Sequence, residues 1–130
     1  MDKMEKTIMP QLENSRTAKR AISKLNISQK SQILNTIADA LLKNLEGILI
    51  ENKKDLERMD PQDAKFDRLK LTKARIEDIA ESVRSVSKLE DPTGKMLNSK
   101  ILPNGLLVEK KSVALGVVGV IYESRPNVTI

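Results

Sequence analysis

Cysteine, histidine and tryptophan are absent from these 130 residues, and there is one phenylalanine and one tyrosine. Without cysteine, these residues hold neither a disulfide framework nor a thiol nucleophile. Without histidine, they lack the usual metal ligand and the usual acid/base near neutral pH, and no metal site is expected. The scarcity of rings leaves no platform for stacking bases. It also requires an aliphatic core of Ile, Leu, Val, Ala and Met. No apolar run approaches the roughly 18 residues that cross a bilayer. The first residues, Met1-Asp-Lys-Met-Glu-Lys6, lack the apolar centre of a signal peptide. A soluble, cytoplasmic protein with no membrane partner is expected.

The charge is net +5, from 23 basic and 18 acidic residues. The two signs are interspersed, as in Glu51-Asn-Lys-Lys-Asp-Leu-Glu-Arg58. That mixture reads as solvated helix faces and not as a polyanion-binding stripe. The densest basic patch is Lys19-Arg20 with Lys24 one turn on, and no nucleic-acid motif accompanies it. No nucleic-acid partner is expected.

The first two-thirds read as helices. Residues 1 to about 9 are expected to be loose, with Pro10 opening the first helix, where a missing N–H costs least. Ala18, Ala21, Ile22 and Leu25 mark its apolar stripe. Ser28 is an expected N-cap. Ile33, Leu34, Ile37, Ala38, Leu41, Leu42 and Leu45 then fall at helical spacing on one face. The pattern resumes at Ile48, Leu49 and Leu56, as a third helix or a bent continuation. Asp60-Pro61 ends it. Residues 63–71 read as a connector with one short helical turn. Thr72 is the expected N-cap of a last helix whose stripe is Ile76, Ile79, Ala80, Val83 and Val86. Asp91-Pro-Thr-Gly94 is a turn signal. Pro103-Asn104-Gly105 between two extended runs, 96–102 and 106–113, is a strong hairpin signal.

From Leu115 to Tyr122 the chain is apolar, with Gly116 and Gly119 and no charge. Such a run reads as a strand buried on both faces of a parallel sheet. A polar cluster, Glu123-Ser-Arg-Pro-Asn127, follows directly. In open α/β sheets, ligands bind beyond the carboxyl ends of such strands. Asn127 can offer an amide N–H to a developing oxyanion. Arg125 can grip a carboxylate or phosphate with two parallel bonds. Ser124 has no histidine partner and is not read as a nucleophile. Gly116-Val-Val-Gly119 is not a G-x-G-x-x-G dinucleotide fingerprint.

The combination is more specific than its parts. Gly116 to Thr129, Gly-Val-Val-Gly-Val-Ile-Tyr-Glu-Ser-Arg-Pro-Asn-Val-Thr, closely resembles a segment of the gamma-glutamyl phosphate reductases, also called glutamate-5-semialdehyde dehydrogenases. Phe66-Asp-Arg-Leu69, Leu71-Thr72, Ala74-Arg-Ile76, Asp91-Pro92, Gly94 and Leu102-Pro-Asn-Gly-Leu106 resemble the same pattern in the same order. The resemblance runs from about Thr17 to Ile130. Residues 59–64 look different from many members.

This resemblance implies membership of the aldehyde dehydrogenase superfamily and an α/β fold class, mainly α in this part. It implies a helical part of an NADP-binding domain over 1–94, an oligomerisation-type hairpin over 95–114, and a first buried strand with its end loop over 115–130. The implied activity is reduction of L-glutamyl 5-phosphate to glutamate 5-semialdehyde, with NADPH as hydride donor and phosphate released, in proline biosynthesis. Asn127 is similar to the superfamily's oxyanion-stabilising asparagine, with a short insertion between it and the strand's glycines. Ile121, Tyr122 and Glu123 match positions that border the cofactor. Arg125 has no counterpart in the superfamily pattern; its charge alone suggests a role toward the acidic groups of the substrate. A homo-oligomer formed through the hairpin is implied as well.

The nucleophilic cysteine of that family lies downstream of the matched segment. The chain is therefore expected to be an N-terminal part, without reductase activity of its own. A helical cluster of four or five helices on a partial sheet is expected. The alternative is a stand-alone helical interaction module whose last strand adds to a partner's sheet.

Overall fold

A computed structural model describes residues 3–130, with side chains from residue 8 onward. Its elements are α1 (Lys3–Ile22), α2 (Ile27–Lys43), α3 (Leu45–Leu56), α4 (Phe66–Leu69), α5 (Lys73–Ser87), β1 (Met96–Ile101), β2 (Leu107–Lys111) and a 3-10 turn, Pro126–Val128. The chain divides into two compact units. One is Met1–Ile27 with Glu90–Gly119, and the other is Ser28–Leu89 with Val120–Ile130. No helix among the described residues is long and apolar enough to cross a membrane.

In the first unit, α1 begins seven residues before Pro10, which lies inside it. The expectation of a loose segment to residue 9 is thus corrected from Lys3 onward; Met1 and Asp2 lie outside the described residues. A proline at that position leaves a carbonyl without its helical partner. Every described side chain of α1 is exposed, so water can take that bond. Gly116 meets the same unit with φ +99, and a Cβ placed on it would stand 3.1 Å from Lys19 Nζ. Glycine satisfies both the positive φ and the close lysine.

β1 and β2 form the hairpin that the Asn-Gly turn signals. They pair antiparallel, with Ile101 opposite Leu107, Ser99 opposite Glu109 and a bulge between Met96 and Asn98. Leu102 N–H donates to the Leu106 carbonyl at 2.9 Å, and Gly105 takes φ +83 to close the turn. At the base, Ser112 N–H donates to the Lys95 carbonyl at 3.0 Å, and Ser112 Oγ donates to the Pro92 carbonyl. Both strands are exposed along their whole length.

These two strands are the whole sheet among the described residues. The residues from Leu115 to Tyr122 pair with no strand, and Leu115 and Ile121 are 92% and 102% exposed. The expected burial of this run is therefore not realised in this chain. Parallel strands need neighbours supplied over crossover connections, and the described residues contain none.

In the second unit, α2 and α5 meet through alanines. Ala38 and Ala80 are both completely buried, with Val83 beside them and Leu34, Leu41 and Leu42 packed around. Arg84 of α5 reaches Asp39 of α2 at 2.7 Å across the same contact. Ile33 and Ile37, on the sequence stripe of α2, stay 46% and 40% exposed. The apolar face is wider than the partner that covers it here. α2 begins at Ile27, so Ser28 lies inside its first turn and is not the cap. The resumed apolar pattern is a separate helix, α3, after a break at Asn44. Thr72 does cap α5: its Oγ1 accepts from Arg75 N–H at 3.2 Å.

Candidate functional site

The site builds on two side chains that shape the connection from α4 to α5. Asn52 of α3 is 7% exposed. Its Nδ2 donates to the Leu69 carbonyl at 2.9 Å, and its Oδ1 accepts from Leu71 N–H at 2.8 Å. One amide therefore supplies both partners to a stretch of irregular backbone, as a strand neighbour would. Arg75, in the first turn of α5, donates to the carbonyls of Asp67 and Lys70 at 2.6 Å each. Its second nitrogen meets both oxygens of the Asp67 carboxylate at 3.1 and 3.2 Å. Together they hold residues 67–71 as a fixed wall.

The loop after the apolar run comes to that wall. Ser124 takes φ +51, the one described non-glycine residue with positive φ. This conformation is uncommon for a residue with a Cβ. Arg125 follows at φ −135 and ψ 82, and Pro126 opens the 3-10 turn, whose Val128 N–H donates to the Arg125 carbonyl at 3.0 Å. The result is a cleft of about 370 Å³ lined by Arg125, Pro126 and Asn127 on one side of the sequence and by residues 67–79 on the other. The structure thus brings together two of the expected site residues, Asn127 and Arg125. Asn127 is exposed, and its side-chain amide has no hydrogen-bond partner among the described residues.

None of the three residues expected to border a cofactor, Ile121, Tyr122 and Glu123, lines this cleft. Tyr122 lines a shallower depression of about 700 Å³ beside α3, with Ser124 and Thr129, and its hydroxyl lies 2.5 Å from Thr129 Oγ1. Ile121 is fully exposed and lines neither cleft. Glu123 pairs with Lys65 at 2.9 Å. No metal-holding group of His, Cys, Asp and Glu occurs among the described residues.

The Lys65–Glu123 pair has a measurable signature. The hydrogen bond to Glu123, then its charge, raises the Lys65 pKa above the ordinary 10.5. A raised folded-state pKa means that the pair's contribution is full below 10.5 and is lost as pH rises through the higher folded value. Glu123→Gln should return the Lys65 ammonium toward the ordinary value, read by NMR titration of its Cε protons. An unchanged titration in that variant would show that the pair does not form.

Asn52 and Arg75 were missed by sequence reasoning. Asn52 sits in the charged stretch of α3 and looks like surface there. Arg75 lies inside the quoted Ala74-Arg-Ile76 match, which was its only signal.

The chain is 49% identical over 126 residues to the gamma-glutamyl phosphate reductase of Chlorobium phaeobacteroides (strain BS1), covering 97% of this chain and 30% of that protein. It is 50% identical over 118 residues to the one from Legionella pneumophila (strain Lens), covering 88% and 28%. Two crystal structures are similar in fold. The gamma-glutamyl phosphate reductase of Thermotoga maritima matches with TM-score 0.82 and 30% identity over 90% of this chain and 29% of that one. That of Saccharomyces cerevisiae matches with TM-score 0.80 and 34% identity over 90% and 31%. No family model matches the chain.

By fold, then, the chain is an α/β piece of the kind found in these reductases, rich in helix and carrying one hairpin. Over most of its length, sequence and structure both establish its resemblance to the gamma-glutamyl phosphate reductases. The chain spans 30% of the length of the Chlorobium relative and 28% of the Legionella one.

Proposed function

We infer that the chain is the N-terminal part of an NADP-dependent reductase that converts L-glutamyl 5-phosphate to L-glutamate 5-semialdehyde and releases phosphate, in proline biosynthesis in the cytoplasm. The observation that carries this reading is the agreement of fold and sequence with proteins of that name, joined to the placement of an unpartnered Asn127 amide in a cleft. In that reading Asn127 donates to the oxygen of the reacting carbonyl as charge develops there. Arg125 faces the acidic groups of the substrate. Ile121, Tyr122 and Glu123 border NADP(H), which supplies the hydride when bound, and their site needs residues that these 130 do not contain. The segment 95–114, an exposed hairpin, pairs copies of the protein.

The expected result is phosphate-dependent reduction of NADP with glutamate semialdehyde by a longer protein carrying this segment. The 130-residue chain, which has no cysteine, should show none above a blank. Turnover by the 130 residues alone, or none by the longer protein, would sink the reading.

A further inference from the structure

Four cations line the cleft that holds Asn127: Arg68, Lys70, Arg75 and Arg125. Two carboxylates line it too, Asp67 and Asp78, so its lining carries four positive and two negative charges, a balance of +2. The charges are not equally engaged. Arg75 is taken by the Asp67 carboxylate and by two backbone carbonyls. Arg68, Lys70 and Arg125 make no ion pair or side-chain hydrogen bond among the described residues. Elsewhere in the second unit Lys54, Lys65 and Arg84 each reach a carboxylate within 2.9 Å, whereas Lys43 and Lys53, on separate helices, reach none among the described residues. What distinguishes Arg68, Lys70 and Arg125 is convergence: three unpaired cations from two stretches of chain more than 50 residues apart line one cleft and give it positive potential. Such a place gathers anions of matching shape, and guanidinium forks meet phosphate oxygens in pairs.

The geometry points to a phosphoryl-binding site formed by Arg68, Lys70 and Arg125 beside the Asn127 amide. The assignment rests on the reductase reading for its biological ligand, the phosphoryl group of an acyl phosphate. The anion site itself stands on the cleft alone. Three separate donors suit a tetrahedral dianion better than a single carboxylate, which one guanidinium fork already satisfies. In an acyl phosphate the phosphoryl group is joined through oxygen to the reacting carbonyl carbon. A phosphoryl group held by these cations therefore brings that carbonyl toward Asn127. Asp78 is the one lining carboxylate without an ion pair among the described residues, and it opposes a bound anion.

The test is a ¹H–¹⁵N NMR titration of the 130-residue chain with inorganic phosphate at constant ionic strength, in parallel with L-glutamate. Saturating shifts confined to amides 67–71 and 125–128, stronger with phosphate than with glutamate, are expected. Arg68→Gln and Arg125→Gln should each weaken binding about threefold to fivefold, the range of one exposed charge pair. Asp78→Asn should strengthen it, and Lys110→Gln in the hairpin should leave it unchanged. All four side chains are exposed, so the fold should tolerate the changes, and the same spectra report folding. Shifts with glutamate but not phosphate would reassign the site to a carboxylate and overturn the proposal. So would shifts spread over remote lysines, or none. Phosphate binding without reductase activity in the longer protein would overturn only the reductase reading. Activity without phosphate binding at these amides would overturn only this site.

Discussion

Asn127→Ala, made in a longer protein that carries this segment, is expected to lower kcat by about 10²- to 10³-fold, as loss of one oxyanion donor does elsewhere. Asn127 stands on a 3-10 turn whose backbone bonds do not involve its side chain. The residue is exposed and its amide is unpartnered, so its removal leaves no buried group unsatisfied. Stability should therefore change little, and the loss should appear in kcat with KM nearly unchanged. That split marks an interaction made in the transition state and not in the ground state. Asn127→Asp should do no better, because a carboxylate cannot donate to an oxyanion and repels it. A variant retaining turnover within about threefold of the parent would remove Asn127 from the oxyanion role.

Asn52→Ala should cost about 2–4 kcal/mol of stability in the 130-residue chain, the largest structural effect expected of a single side chain here. The substitution leaves the Leu69 carbonyl and the Leu71 N–H without partners in a partly buried place. Each such orphan costs about 1–3 kcal/mol. Asn52→Asp separates the two bonds: Oδ1 can still accept from Leu71, but an oxygen then faces the Leu69 carbonyl, where a donor is required. It should be destabilising too. Urea unfolding followed by helical circular dichroism measures both. A midpoint equal to the parent's for Asn52→Ala would show that water replaces the clamp without loss. The same substitution should loosen the wall that carries Lys70 and Leu71. Weaker phosphate binding should therefore accompany the lower stability.

Much of this was legible in the residues. Thr72 capping α5, the Asn104-Gly105 hairpin, the single turn of α4 and the stripe through Ile76, Ala80 and Val83 all follow from local rules, because caps, tight turns and helical periodicity involve residues close in sequence. The resemblance carried by Gly116 to Thr129 was legible for the same reason, being one continuous motif. Pro10 and Ser28 misled where a helix extended past its expected start. Solvent tolerates the one, and the other is a matter of two residues at a helix end.

The Leu115–Tyr122 run separates the two kinds of information. Its apolar, glycine-containing composition states what environment it suits, a sheet interior. Burial would need neighbouring strands, the described residues supply none, and here the run stays exposed. Helix positions, the turn and the motif are written in nearest neighbours along the chain, so composition and spacing settle them. The clamp of Asn52 on residues 69 and 71, and the meeting of Arg125 and Asn127 with Arg68 and Lys70, join segments about 20 and more than 50 residues apart. No local pattern specifies such pairings, because they follow from how the helices pack around Ala38 and Ala80 and where the loop then lies.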